Sequence, residues 1–150
     1  MKDILALDLG TTTGWAAGNK ANHVSGVWKL MPGRFDSASM RLIKFLAGLD
    51  EINTLFDLNA VFFEEIRRHR GVDAAHWYGA FWSHLIKWCD ERSIPYEGVP
   101  VGEIKKNWTG KGNANKDAMV AEAIARGYSP ATSDEADALA IFALKVGTVR

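Results

Sequence analysis

The stretch Val61-Phe62-Phe63 constrains the fold more than any other, because three consecutive large apolar residues leave neither side of a strand for water. A strand buried on both faces needs helices on each side of its sheet, which points to an α/β architecture. Residues 37–57, just before it, carry Met40, Ile43, Leu46, Leu49 and Phe56 at helical spacing, with Lys44, Asp50 and Glu51 between them. Residues 72–92, just after it, place Trp77, Tyr78, Phe81, Trp82 and Trp88 on a second helix. So wide an aromatic face reads first as core packing on the sheet, and its surplus leaves a dimer surface open as a second use.

The rest of the order follows from shorter signals. Residues 3–9, 14–17 and 24–30 read as strands joined by tight turns such as Gly18-Asn19, an antiparallel meander. Residues 94–99 predict a fifth strand, and 115–126 a helix stopped by Gly127 with Pro130 beyond. Thr132-Ser133-Asp134-Glu135 is a capping-box pattern that opens the last helix. The order βββαβαβα implies a mixed five-stranded sheet, three antiparallel strands and then parallel ones, with the first strand central and helices on the flanks. Residues 1–150 read as one domain, long enough to bury its own core.

Composition removes several classes of function. No apolar run approaches the ~20 residues of a membrane span, and Met1-Lys2-Asp3 leads into a strand too short and too acidic for a signal peptide. A cytoplasmic protein with no membrane partner is expected. The single cysteine, Cys89, excludes an internal disulfide and a multi-cysteine zinc site, and its neighbours Leu85 and Trp88 suggest a buried thiol. The formal net charge is zero, so any grip on nucleic acid must come from local clusters.

Four carboxylates stand out by position. Asp8 ends the first strand and Glu64 follows the buried fourth strand, while Asp134 and Asp137 lie three apart near the start of the last helix. If the first and fourth strands are neighbours, all four acids meet, and they cannot all stay ionised without cations. Hard, oxygen-preferring Mg²⁺, with Mn²⁺ as a substitute, is the natural guest, and a pair of ions about 3.5–4 Å apart suits phosphodiester hydrolysis. The plainer reading makes Asp134 a helix-dipole partner and Asp137 a surface acid, but it leaves Glu64 unexplained. The run Asp8-Leu9-Gly10-Thr11-Thr12 also suits an actin-like ATPase. That fold closes two related domains over its nucleotide, and 150 residues with one such run cannot supply them.

From end to end the chain resembles the RuvC-type Holliday junction resolvases of the ribonuclease H superfamily. "LALDLGTTTGWA" is similar to the family's first metal-binding strand, "VFFEE" to its second acidic motif, and "DEADALAIFAL" to its closing helix. "IKKNWTGKGNANKDAMV" matches its basic segment in unbroken spacing. The resemblance implies a ribonuclease H-like fold and a homodimer that nicks four-way DNA junctions in pairs, with two metal ions per site and no nucleotide cofactor. It puts Asp8, Glu64, Asp134 and Asp137 on the metal-binding positions and Lys105 and Lys116 on the functional lysines. By the family's spacing Glu64 is the ligand and Glu65 stands behind it or on the other face.

An ammonium near the scissile phosphate would offset charge that builds in the transition state. Lys116, at a helix start, opposes the helix dipole, which suggests a functional reason for it. Gly110-Lys111-Gly112-Asn113 lacks the Ser or Thr of a P-loop, yet Lys111 and the loop's backbone N–H groups could meet a DNA phosphate. Arg67, Arg68 and Arg70 form the strongest basic cluster and are expected to bind DNA, unless they are simply a solvated loop. The bacterial resolvases have an aromatic residue where this chain has Arg67, which puts strand opening and sequence preference in question. A ribonuclease H-like or general branched-DNA nuclease is the nearest alternative, and an inactive junction-binding module a more distant one.

Overall fold

The structure, a computed structural model, describes residues 1–66, 69 and 71–150. β1 (Asp3–Asp8), β2 (Thr12–Gly18) and β3 (His23–Lys29) form the antiparallel meander. The chain then crosses through α1 (Met40–Leu55) to β4 (Leu58–Glu65) and through α2 (Val72–Glu91) to β5 (Tyr96–Pro100). It finishes in α3 (Val101–Thr109), α4 (Lys116–Ala125) and α5 (Ser133–Lys145). The sheet order is β3-β2-β1-β4-β5, with β1 central and β4 and β5 running parallel, as the sequence implies. No helix among the described residues is long and apolar enough to cross a membrane.

Strand alternation divides the core in two. Ile4, Ala6, Ala60 and Phe62 point towards α3, α4 and α5, whereas Leu5, Leu7, Val61 and Phe63 point towards α1 and α2. The three-residue run that signalled double burial is the middle of an eight-residue strand. Cys89 is fully buried on the α1/α2 side, and that burial pushes its thiol up to about 12, so it is an inert core residue.

Three expectations need correction. Ile43, expected on the inner face of α1, is 55% exposed, while Phe45 fills the core instead, because the helix's buried stripe runs through Phe45, Leu49 and Ile52. α3 is a helix for which the sequence analysis above gives no element. The capping box is only half formed: Thr132 Oγ1 accepts from the Glu135 N–H, but the Glu135 carboxylate accepts from the Ala131 N–H and the Ser25 hydroxyl. That carboxylate thereby ties the start of α5 to β3.

Candidate active site

The site forms where β1 and β4 end. Leu7 pairs with Phe63, so one step further Asp8 and Glu64 leave adjacent parallel strands at the same level. Both share the parity of Ala6 and Phe62 and therefore face α5. Glu65 takes the opposite face beside Phe63, where its Cβ would sit 3.2 Å from a side chain placed on Gly98, and it is exposed. The neighbouring acids are thus separated by the pleat of one strand.

Asp134 and Asp137 come in from above. Asp8 pairs with Gly14 across β1 and β2, and the first turn of α5 rests directly on that glycine. A Cβ there would meet the Asp134 carbonyl oxygen at 1.9 Å and the Glu135 nitrogen at 2.8 Å. Only glycine lets the helix approach so closely, and this close approach sets Asp134 beside Asp8. In the sequence Gly14 is one residue of a strand, and a glycine inside a strand pattern is the available sign of a close backbone approach.

The carboxyls perturb one another in the way their convergence predicts. Burial raises Asp8 well above the usual carboxylate range, and the charges of Asp137, Glu64 and Asp134 raise it further. Burial also raises Glu64, against the pull of the Lys105 ammonium. Asp137 is pushed up to about 7, first by burial and then by the charges of Glu64 and Asp134, with Lys105 and Lys116 opposing.

The donor set is all oxygen and carries more negative charge than burial tolerates, which fits hard divalent cations. Among the described residues no group of three or more His, Cys, Asp or Glu is already arranged to hold a metal ion. Electrostatic influence reaches further than a coordination bond, so the two observations agree. Cations would have to draw these carboxylates inward.

The lysines are held by the helix pair α3 and α4. Trp108 on α3 donates from Nε1 to the Met119 carbonyl on α4 at 3.0 Å, and the Arg126 guanidinium lies 3.9 Å over the Trp108 ring. Asn115 caps α4 by accepting from the Ala118 N–H, which leaves Lys116 as its first residue. Lys105 lines a small cleft with Glu64 and Asp137. Ile104 and Trp108, an apolar pair four apart, with Gly110 in the left-handed region at φ 87°, are the signal that could have identified α3.

Lys111 is exposed in the α3–α4 turn, but its N–H donates to Thr109 Oγ1 at 3.1 Å and the Ala114 N–H to the Lys111 carbonyl. Those two amides are therefore engaged within the turn itself. Arg67, Arg68 and Arg70 lie outside the described residues. Tyr78, which the sequence pattern assigns to core packing, donates its hydroxyl to the Glu64 carbonyl at 2.8 Å and accepts from the Ile66 N–H at 3.4 Å, holding the strand end that carries Glu64.

No family model matches the sequence, and no curated protein matches it significantly. Solved structures do. RuvC of T. thermophilus in complex with a Holliday junction substrate superposes with a TM-score of 0.77 at 21% identity, covering 94% of this chain and 90% of that one. A second Thermus thermophilus RuvC structure gives 0.71 at 21% identity over 93% and 90% of the two chains. The yeast mitochondrial Holliday junction resolvase Ydc2 gives 0.60 at 14% identity over 92% and 75%. The fold is thus the RuvC form of the ribonuclease H-like architecture, along nearly the whole chain.

Proposed function

We propose that this chain is a structure-specific endodeoxyribonuclease that resolves four-way DNA junctions by metal-dependent phosphodiester hydrolysis. The observation that carries the reading is the convergence of Asp8, Glu64, Asp134 and Asp137 from β1, β4 and α5, with Lys105 and Lys116 close enough to oppose their charge. Two bound Mg²⁺ or Mn²⁺ ions would supply water activation and charge neutralisation at the leaving oxygen.

The chain's own residues account for the rest. Asp8 and Glu64, at the ends of paired strands, are rigid anchors for the cations, while Asp134 and Asp137 close the set from a helix tied to β3 through Glu135 and Ser25. Lys105 and Lys116 place positive charge where the scissile phosphate would gain negative charge. Tyr78 keeps Glu64 in register by holding its carbonyl.

The junction as substrate rests on the fold, whose solved counterparts include a resolvase bound to a Holliday junction. A homodimer would supply two sites for paired nicks, in the cytoplasm and with no nucleotide cofactor. Trp82 and Tyr96, exposed at 40% and 36%, line one surface hollow together and support a protein contact there. The test is cleavage of an end-labelled four-way junction beside a linear duplex, a three-way branch and an RNA·DNA hybrid. Symmetric metal-dependent nicks confined to the four-way junction are expected. Equal cutting of all branches would make it a general debranching nuclease, and cutting of the hybrid alone would overturn the reading.

A further inference from the structure

Beside the acidic site, on the α1/α2 side of β1, the segment Leu9-Gly10-Thr11 and the first turns of α2 enclose a second pocket of about 310 Å³. Trp77, Tyr78 and His69 give it aromatic walls, and Asp73 is the one carboxylate that lines it. The volume is that of a small-ligand site, with room for a nucleoside but not for a duplex.

Arg41 of α1 does not line it but touches two residues that do, Thr11 and Trp77. Its guanidinium lies 4.1 Å over the Trp77 ring and donates to Thr11 Oγ1 at 3.3 Å and to Met31 Sδ at 3.5 Å, all neutral groups. Its Nε is buried without a hydrogen-bond partner. No ion pair among the described residues involves Arg41, although Asp73 lies one helical turn before Trp77. Arg41 is half-buried, so the outer nitrogens of its guanidinium keep access to a ligand, and their planar fork of donors matches a phosphate. Guanidinium and carboxylate therefore flank the same pocket without neutralising each other.

We infer that this pocket receives one unstacked nucleotide of the bound DNA, with its base among Trp77, Tyr78 and His69 and its phosphate on Arg41. Aromatic walls suit a base removed from its stack. The Asp73 carboxylate would repel a phosphate but accepts from an exocyclic amino group, which cytosine, adenine and guanine carry, so the pocket disfavours thymine. Leu9 and Gly10 follow Asp8 directly, so a nucleotide held here fixes which phosphodiester of the same strand lies at the acids. The pocket thus selects the cut position within the junction reading on which this inference rests.

The experiment measures binding of a synthetic four-way junction in chelator, with a single abasic residue moved position by position through the strands at the crossover. One position is expected to weaken wild-type binding roughly tenfold, the lower end of what stacking one base on an aromatic side chain contributes. Trp77→Leu should lose sensitivity to that position. Arg41→Met should lower the slope of log affinity against log salt by about 1, with Arg41→Lys retaining it. Uniform wild-type affinity at every abasic position overturns the inference even if a variant fails to fold. Unchanged salt slopes in folded Arg41→Met, with only its melting temperature lowered, assign Arg41 to packing on Trp77 and overturn it as well. A wild-type protein that binds no junction at all removes the junction reading itself, whereas normal junction binding with uniform abasic affinities removes only the pocket.

Discussion

The face of the sheet covered by α1 and α2 is filled by Phe45, Phe63, Phe81, Leu85 and Trp88, whereas on the other face β1, β2 and α5 contribute Ala6, Ala16, Ala136, Ala138 and Ala140, with Phe62, Trp108 and Phe142 elsewhere in the same cluster. Large side chains fill a wide gap and hold their helices away from the strands. Alanines, with Gly14 at the contact itself, let α5 sit almost on the backbone. Aspartate reaches only one methylene from its helix, so Asp134 can lie beside Asp8 only on the closely packed face. The aromatic face supplies stability, and the alanine face converts proximity into a charged site.

The sharpest way to break this comparison is to remove one acid from each face of β4. Glu64→Gln should reduce junction cleavage by roughly a thousandfold, comparable to losing a preorganised charge in other active sites. Glu65→Gln, on the opposite face, should leave the rate within about twofold. Equal losses in a single-turnover assay would mean that strand alternation does not assign the ligand.

Packing changes should divide the same way. Leu85→Ala, fully buried on the aromatic face, should cost about 2–5 kcal/mol in denaturant unfolding while keeping the activity of each folded molecule. Gly14→Ala should cost about 1–3 kcal/mol by overpacking, yet lose most cleavage because α5 must move away from β2. If Gly14→Ala keeps its specific activity, the close approach of the helix is not what forms the site.

Two smaller effects refine the electrostatics. Lys116→Ala should slow cleavage about tenfold to a hundredfold without changing Mg²⁺ affinity; an unchanged rate returns Lys116 to the role of a solvated surface lysine. Folded Asp137 keeps its proton up to about pH 7, while the unfolded carboxyl releases it near 3.8. The folded state therefore holds the extra proton between those values, and its stability falls as pH rises through that window. Metal-free protein should melt higher at pH 5 than at pH 8, Asp137→Asn should reduce that difference, and Mg²⁺ should raise the melting temperature more at pH 8.

Much of the fold was legible because it depends on patterns along the chain. Apolar runs marked the strands, and Val61-Phe62-Phe63 revealed the two-sided burial of β4, which the structure pairs with β1. The acids were legible as strand-end and helix-start residues. Features that depend on distance were not: Gly14 looks like any strand glycine until α5 is set on it, and Tyr78 looks like core until its hydroxyl is seen on Glu64. Periodicity also misjudged α1, where Ile43 and Phe45 are equally apolar and only the position of the sheet decides which is buried.

The most direct test of the central claim compares wild type with Asp8→Asn on one labelled four-way junction, measuring binding in chelator and nicking after Mg²⁺ is added. The account predicts similar junction affinity for both proteins, paired nicks by wild type only in Mg²⁺, and none by the variant. Asp8→Asn cleaving at close to the wild-type rate would contradict it, because the buried carboxyl at the centre of the cluster would then have no part in the chemistry.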